Sequence, residues 1–231
     1  MGHGRMNVVV TAWRVPDKRI ADFVNWNRSA FRDTGTNCLI VTDRELDLPD
    51  GFEYAIYPKP MEIFNLSACS NFGLKQIADG VICKTDIDCF FTRPLLEAMR
   101  TPVVGLAIAP IYIMALDITG RQGRPWGASI GTIALHWWDW KRVGGYNEKM
   151  QGYGVEDGDF YCRAVDLGVQ IDRGHTIIHV AHDPSVPFNA VSPRHRADCW
   201  GRATGVNPRN HKANRRHWLQ GDQTDFLAEN I

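Results

Sequence analysis

The sequence lacks an excess of charge of either sign. Lys and Arg together number 26, as do Asp and Glu, so the formal net charge is zero. A chain without a global charge bias gives no reason to expect nucleic acid, a membrane surface or a strongly acidic protein as its partner. Any charged functional site must therefore be local.

Long apolar runs are also missing. No segment approaches the roughly 18 consecutive apolar residues that a membrane-spanning helix needs, and the first residues, MGHGRMNVVV, do not read as a signal peptide. We therefore expect a cytoplasmic protein with no membrane partner.

Cysteine is sparse, and its spacing excludes two classes of small protein. The six cysteines are too scattered for a disulfide scaffold, and no C-x-x-C pair suggests structural zinc. At 231 residues the chain can instead bury a full apolar core, and we expect one α/β domain.

Strand-like and helix-like segments alternate through the first part of the chain. Apolar, β-branched stretches predict strands at 6–13, 38–42 and 53–57. A helix is expected over 66–78, followed by a strand that begins at Val81. This order predicts a mostly parallel mixed sheet with helices on both faces, in which ligands bind beyond the carboxyl ends of the strands.

The later part of the chain is less regular. Gly and Pro predict a long loop over 120–129, and apolar residues predict a strand over 130–138. Between residues 192 and 218 there are seven Lys or Arg residues against one acid. We therefore divide the chain into a main domain, 1–190, and a basic C-terminal tail or lid, 191–231.

Two carboxylates, Asp86 and Asp88, follow the apolar run Val81-Ile82-Cys83. At a turn after a strand, both side chains can reach one cation. A divalent metal held by one or two carboxylates and completed by phosphate oxygens is usual for phosphate substrates. A solvated turn is the alternative, but the position at a strand end favours a metal site.

A second acidic pair, Glu156 and Asp157, precedes the helical apolar stripe of Phe160, Ala164 and Leu167. The pair therefore falls in the first turn of a helix, where the helix dipole favours ionised carboxylates. An ionised carboxylate there could take a proton from a hydroxyl. Ordinary helix capping is the alternative.

Two short segments could complete a site around these carboxylates. Gly152 and Gly154 let the backbone approach a ligand, and Tyr153 between them offers an aromatic face. His179 and His182 lie in and just after a predicted strand. A histidine joined to the carboxylates would make a mixed ligand set that suits Mn²⁺, with Mg²⁺ as the alternative.

Two segments carry a resemblance to a known family. SNFGLKQIADGVICKTDIDCFF resembles the Asn-x-Gly helix, strand and Asp-x-Asp segment of GT-A fold glycosyltransferases. GGYNEKMQGYGVEDGDFYCRAVDLG resembles the C-terminal signature of the β-1,4-galactosyltransferase-like and polypeptide N-acetylgalactosaminyltransferase-like groups. The resemblance implies a GT-A, Rossmann-like domain and a metal-dependent transfer of a sugar from a nucleotide sugar.

The resemblance implies roles for the metal and acceptor residues. Asp88 would coordinate the metal that bridges the donor's phosphates, Asp86 would bind metal or ribose, and His182 would be a late metal ligand, with His179 as the alternative. Asp157 would be the general base. The remaining acceptor-side residues, which bind acceptor or sugar hydroxyls, are Glu156, Tyr153, Gly154 and Trp126.

The resemblance also implies a donor site. Asp43 would accept a hydrogen bond from the nucleotide base, and either Lys75 or the basic tail would supply a basic contact that residues 66–68 lack. The residues expected in the nucleotide-binding loop after the first strand are Thr11, Trp13 and Arg14.

Together these assignments predict an inverting glycosyltransferase that uses a nucleotide-sugar donor, most simply a UDP-sugar. The acceptor could be a glycan, a protein or a modified nucleic acid. Two enzymatic alternatives stay open: a phosphatase of the haloacid dehalogenase type, because it also uses Asp-x-Asp, and a nucleotidyltransferase. Eight tryptophans suggest a non-catalytic sugar-binding module as a further alternative.

Overall fold

The structure is a computed structural model that describes residues 6–59, 61, 65–120, 123–126, 131–148 and 156–181. The predicted basic tail, 191–231, lies outside the described residues and stays a prediction. Within the described ranges, no helix combines the length and the apolar character needed to cross a membrane.

Up to β4, the strands and helices follow the order that the sequence predicts. The helices are α1 (Asp17–Thr34), α2 (Leu66–Leu74), α3 (Arg93–Met99), α4 (Trp137–Val143) and α5 (Glu156–Asp166). The strands are β1 (Met6–Thr11), β2 (Asn37–Thr42), β3 (Phe52–Ile56), β4 (Val81–Thr85), β5 (Cys89–Phe90), β6 (Leu106–Ile108), β7 (Ile111–Ala115), β8 (Arg124–Trp126), β9 (Ile133–His136), β10 (Gln170–Asp172) and β11 (Thr176–Val180).

A mixed sheet of seven strands forms the centre, in the order β10-β6-β9-β4-β1-β2-β3. All neighbouring strands in it are parallel except β9, which runs antiparallel to β4 and β6. A smaller sheet has the order β5-β11-β7-β8. The prediction of a mostly parallel mixed sheet is confirmed.

Helices cover both faces of the large sheet because its central strands are apolar on both sides. On β1, Val8 and Val10 belong to the core that also contains apolar side chains of α1 and α3. Val9 faces the other way, into a core shared with α2, α4 and α5. Successive strand residues point to opposite faces, so a near-continuous apolar run is what such a doubly covered strand requires.

The predicted strand over 130–138 is wrong at its end. The strand β9 stops at His136, whose side chain accepts a hydrogen bond from the backbone N–H of Trp138 at 3.3 Å and so caps a helix. Gly144 ends that helix in the left-handed conformation, with φ of 80°. Trp137 and Trp138 could belong to a strand or to a helix by their apolar character alone. The cap at His136 and the left-handed Gly144 place them in the helix α4.

Two smaller differences concern the ends of elements. The predicted loop 120–129 contains the short strand β8, which pairs with β7. In α5 the predicted stripe is buried at Phe160 and Ala164, but Leu167 is 40% exposed. Leu167 follows the last helical residue, so the helical spacing no longer directs its side chain at the core.

Candidate active site

The carboxyl ends of β1, β2 and β4 lie side by side at one edge of the sheet. The registers pair Thr11 with Val41 and Val10 with Thr85, so the three strands end level with one another. Each strand is followed by polar residues, Arg14 after β1, Asp43 after β2 and Asp86 after β4. This edge is where ligands bind in open α/β sheets.

The loops after β1 and β2 are joined to each other. The backbone N–H of Arg14 donates to Asp43 Oδ1 at 3.2 Å, and Arg14 has a φ of 54°, which non-glycine residues seldom adopt. Its guanidinium lies 4.2 Å from the centre of the Trp13 ring, which is otherwise buried in the core. Strained backbone of this kind clusters at functional sites.

A buried lysine, which the sequence reasoning missed, joins the two acidic segments. Lys84 lies on β4 with 1% of its surface exposed. Its Nζ is 3.3 Å from Asp86 Oδ1 and 3.1 Å from Asp157 Oδ1. A lysine inside the apolar run VICKT is itself a signal, since lysine is almost never fully buried unless it is paired.

Asp86 is held by donors on both of its oxygens. The Tyr112 hydroxyl donates to Oδ2 at 2.8 Å and also lies 2.8 Å from Thr132 Oγ1. Burial would raise the pKa of Asp86, but Lys84, then the nearby His179 and then these hydrogen bonds outweigh it, so the pKa lies below its ordinary value. Asp86 is therefore an ionised carboxylate at the sheet edge.

The chain approaches Asp86 closely at Gly131. A Cβ atom at that position would lie 2.5 Å from Asp86 Oδ2 and 2.8 Å from the Tyr112 hydroxyl. Glycine is the residue that permits such an approach.

The carboxyls of Glu156 and Asp157 differ in environment although they are adjacent on α5. Burial, with repulsion from Asp157, raises the pKa of Glu156 to about 8. Burial also raises the pKa of Asp157, against the opposing effect of Lys84. At neutral pH Glu156 is therefore protonated, while Asp157 becomes a stronger base than an exposed aspartate.

Asn71 fastens the segment before α5 to the helix α2. Its Nδ2 donates to the Tyr146 carbonyl at 2.8 Å, and its Oδ1 accepts from the Tyr146 N–H at 2.7 Å. Gly145 has a φ of 68°, and a Cβ there would lie 2.5 Å from Asn71 Oδ1. Lys84 Nζ lies 5.5 Å from the centre of the Tyr146 ring, so Asn71 positions the ring beside the lysine.

Replacement of Asn71 by Ala should lower the free energy of unfolding by about 2–4 kcal/mol, because two buried backbone groups of Tyr146 lose their partner. Denaturant unfolding measures the change. The matched control is Asn25→Ala, an exposed position on α1, for which we expect a change within about 0.5 kcal/mol. Equal effects of the two substitutions would contradict the role of Asn71.

The other predicted metal ligand, Asp88, is less open than Asp86. Its Oδ1 lies 3.2 Å from Arg19 Nε, and 6% of its side chain is exposed, against 28% for Asp86. Within the described part of the chain, no three His, Cys, Asp or Glu side chains form a cluster that could hold a metal. The two carboxylates fit a cation whose other ligands are phosphate oxygens, water or residues outside that part.

The remaining predicted site residues lie in different parts of the chain. Thr11 lies at the edge with Arg14 and Asp43, and its Oγ1 is 3.3 Å from Ser70 Oγ. Lys75 does not join them; it ends α2 and lines a cleft of about 250 Å³ with Ile82 and Trp137, near the start of β4. Trp126 lies in β8, and its side chain is not described. Three predicted residues lie outside the described ranges: Tyr153, Gly154 and His182.

The position of Lys75 corrects its predicted donor contact. A helix of nine residues spans roughly 13 Å. Ser70, in the middle of α2, contacts Thr11 near the carboxyl end of β1, whereas Lys75, after the helix end, lies beside Ile82 near the start of β4. The helix therefore carries Lys75 away from the edge that holds Asp86.

His179 lies in β11 and is buried. Its ring stacks on the Tyr112 ring with centres 5.2 Å apart, so it supports the residue that holds Asp86.

Residues 115–183, which include Glu156 and Asp157, match the family model described as the N-terminal domain of galactosyltransferase. The chain has the GT-A fold of glycosyltransferases, and this segment is similar to a galactosyltransferase domain. A comparison with curated protein sequences finds no match.

Solved structures of glycosyltransferases share this fold at low identity. The catalytic domain of Drosophila β1,4-galactosyltransferase 7 with xylobiose has a TM-score of 0.56 and 18% identity, over 78% of this chain and 71% of that one. A mannosyltransferase from Pyrobaculum calidifontis with GDP-Man and Mn²⁺ has a TM-score of 0.59 and 11% identity, over 80% and 59%. TarS from S. aureus with UDP-GlcNAc has a TM-score of 0.58 and 13% identity, over 78% and 59%.

Proposed function

We propose that this glycosyltransferase moves a sugar from a nucleotide-diphosphate sugar, a UDP-sugar in the simplest case, to an acceptor hydroxyl with inversion at the anomeric carbon. The observation that carries the proposal is the pairing of Asp86 and Asp157 through Lys84. It brings a carboxylate at a strand end, suited to the donor, next to a basic carboxylate in the matched galactosyltransferase segment.

The donor would bind across the edge formed by β1, β2 and β4. Arg14 and Asp43 would contact the nucleotide, since the strained loop after β1 is fixed to the loop after β2. Complexes of similar structures support a nucleotide sugar, because they contain UDP-Gal, GDP-Man and UDP-GlcNAc.

Asp157 would act on the acceptor. An inverting transfer needs a base on the face of the sugar opposite the leaving diphosphate, and a carboxylate with a raised pKa takes up the hydroxyl proton more readily. Glu156, protonated at neutral pH, would donate a hydrogen bond to an acceptor or sugar hydroxyl rather than compete as a base. This division of roles follows the different environments of the two carboxyls.

Asp86 and Asp88 would hold a divalent cation, Mn²⁺ or Mg²⁺, with His182 as the further ligand. Mn²⁺ is present in two of the similar structures. A bound cation would neutralise charge that develops on the leaving diphosphate. Tyr112 and Lys84 would keep Asp86 oriented toward it.

Calorimetric binding of UDP with and without Mn²⁺ tests the proposal. We expect Mn²⁺ to tighten UDP binding about tenfold or more, because both the protein and the diphosphate would supply ligands to the cation. Asp86→Asn should remove most of this gain, whereas Asp79→Asn, at an exposed position, should keep it. Equal UDP affinity in both conditions, with transfer unaffected by a chelator, would overturn the metal assignment.

The same titration with ADP, GDP and CDP identifies the nucleotide. Preference for another base would change the donor but leave the reaction class intact. Absence of binding by any nucleoside diphosphate, with Mn²⁺ present, would overturn the proposed function.

A further inference from the structure

The buried ammonium of Lys84 is not explained by stability alone. Taking an ammonium and its partner carboxylates out of water costs several kcal/mol per ion, so a buried ion pair is weak evidence for a stabilising role. A well-packed apolar residue would suit this position of β4, since the preceding residues Ile82 and Cys83 are apolar and buried. The presence of a lysine at this buried position is therefore better explained by the groups that it contacts.

Its contacts join parts of the site that are distant in sequence. Lys84 and Asp86 belong to the strand end that would face the donor, whereas Asp157 opens α5 on the acceptor side. The Tyr146 ring lies on a further side of the ammonium, at 5.5 Å, and Asn71 fixes the backbone of that tyrosine. The ammonium is thus enclosed by groups from β4, α5 and the segment between α4 and α5.

The charge of Lys84 matters as much as its position. Asp86 and Asp157 both lie within 3.3 Å of one Nζ atom, so without that cation two negative charges would lie close together on side chains that are only 28% and 21% exposed. Like charges at such short range repel strongly, and the more movable of the two would turn away. Asp86 is held on its other oxygen by Tyr112, so Asp157 is the one we expect to move.

We infer that Lys84 is a positioning residue, which ties the acceptor-side base Asp157 to the donor-side carboxylate Asp86 and so fixes the distance across which the sugar is transferred. This inference rests on the proposed function. Lys84 need not touch either substrate. Because Tyr112 also holds Asp86, the effect of Lys84 on transfer would pass mainly through Asp157.

A kinetic double-mutant cycle tests this inference. Lys84→Met, which removes the charge but keeps a long side chain, should lower kcat about 10²-fold, the usual cost of a misplaced reacting group. In the Asp157→Asn background the same change should alter kcat by less than about threefold, because residues that act as a unit are not additive. The same fold-change in both backgrounds would show a merely structural role and overturn the inference.

Thermal unfolding of the same four proteins provides a readout that does not depend on activity. In the wild-type background Asp157→Asn removes a buried carboxylate but also takes a partner from Lys84, so its two effects on Tm oppose each other. In the Lys84→Met background only the removal of a repelled carboxylate remains, so Tm should rise by more than in the wild-type background. An equal change of Tm in both backgrounds would show that the lysine does not hold Asp157.

The two readouts separate the inference from the function on which it rests. If the wild-type protein transfers no sugar from any nucleotide-sugar donor, the proposed function fails, while the difference between the two Tm changes still reports on the Lys84–Asp157 contact. If transfer is normal but the kinetic cycle is additive, the inference alone fails. Lys18→Met is the matched control, because that lysine is exposed and paired with Asp22 on α1.

Discussion

Replacing Asp157 with Asn is expected to lower kcat by roughly 10²-fold or more, the usual contribution of a general base. Asn has nearly the shape of Asp but cannot accept the hydroxyl proton. The pKa of Asp157 is raised by burial, which makes its carboxylate a better base than that of an exposed aspartate. Removal of this carboxylate should therefore slow the chemical step. Steady-state kinetics with saturating donor and acceptor measure the change.

The control and a stereochemical measurement make this prediction specific. Asp166→Asn, at an exposed position of the same helix, should leave kcat within about twofold. UDP affinity should change little in Asp157→Asn, since Asp157 is assigned to the acceptor. With an α-linked donor, NMR of the product should show a β linkage. An α linkage, or near-normal kcat in the Asn variant, would show that Asp157 is not the base.

The placement of the carboxylates could be predicted because it depends on local patterns. An apolar strand that ends in Asp86-x-Asp88 places both residues at the carboxyl edge of the sheet wherever its neighbours are parallel. Likewise, the stripe of Phe160 and Ala164 puts Glu156 and Asp157 in the first turn of α5, as the structure has it.

The contacts between the acidic segments could not be predicted because they depend on strand order. Tyr112 comes from β7 in the smaller sheet and Thr132 lies just before β9, yet both reach Asp86 or its neighbour Thr85. No spacing in the sequence relates these residues. Lys84 did carry a signal, since a buried strand tolerates a lysine only when anions lie nearby, but the signal does not say which anions.

Lys75 was assigned to the donor site from a missing residue rather than from its own position in the fold. It was expected to replace a basic residue missing from 66–68, which assumes that both ends of α2 serve the same site. A helix separates its ends along its axis: Ser70, in the middle of α2, lies beside Thr11 at the edge with the donor residues, whereas Lys75 lies beside Ile82 near the start of β4.

The second large effect concerns the loss of stability between pH 4.5 and 8 and comes from Glu156. Burial raises its pKa from 4.5 to about 8 in the folded protein, so the folded state holds a proton that the unfolded state releases above pH 4.5. The contribution of Glu156 to stability is therefore complete below pH 4.5. It falls by about 1.4 kcal/mol for each pH unit as the pH rises toward 8, and levels off above that.

Glu156→Gln isolates this effect from the other titrating groups, because Gln keeps the shape of the protonated carboxyl and does not ionise. Denaturant unfolding of both proteins, in a metal chelator, should give similar free energies at pH 4.5. The variant should then become progressively more stable than the wild type up to pH 8, with a constant difference at higher pH. A difference that does not change between pH 4.5 and 8 would mean that Glu156 is ionised in the folded protein, and its assignment as the protonated partner of Asp157 would then be wrong.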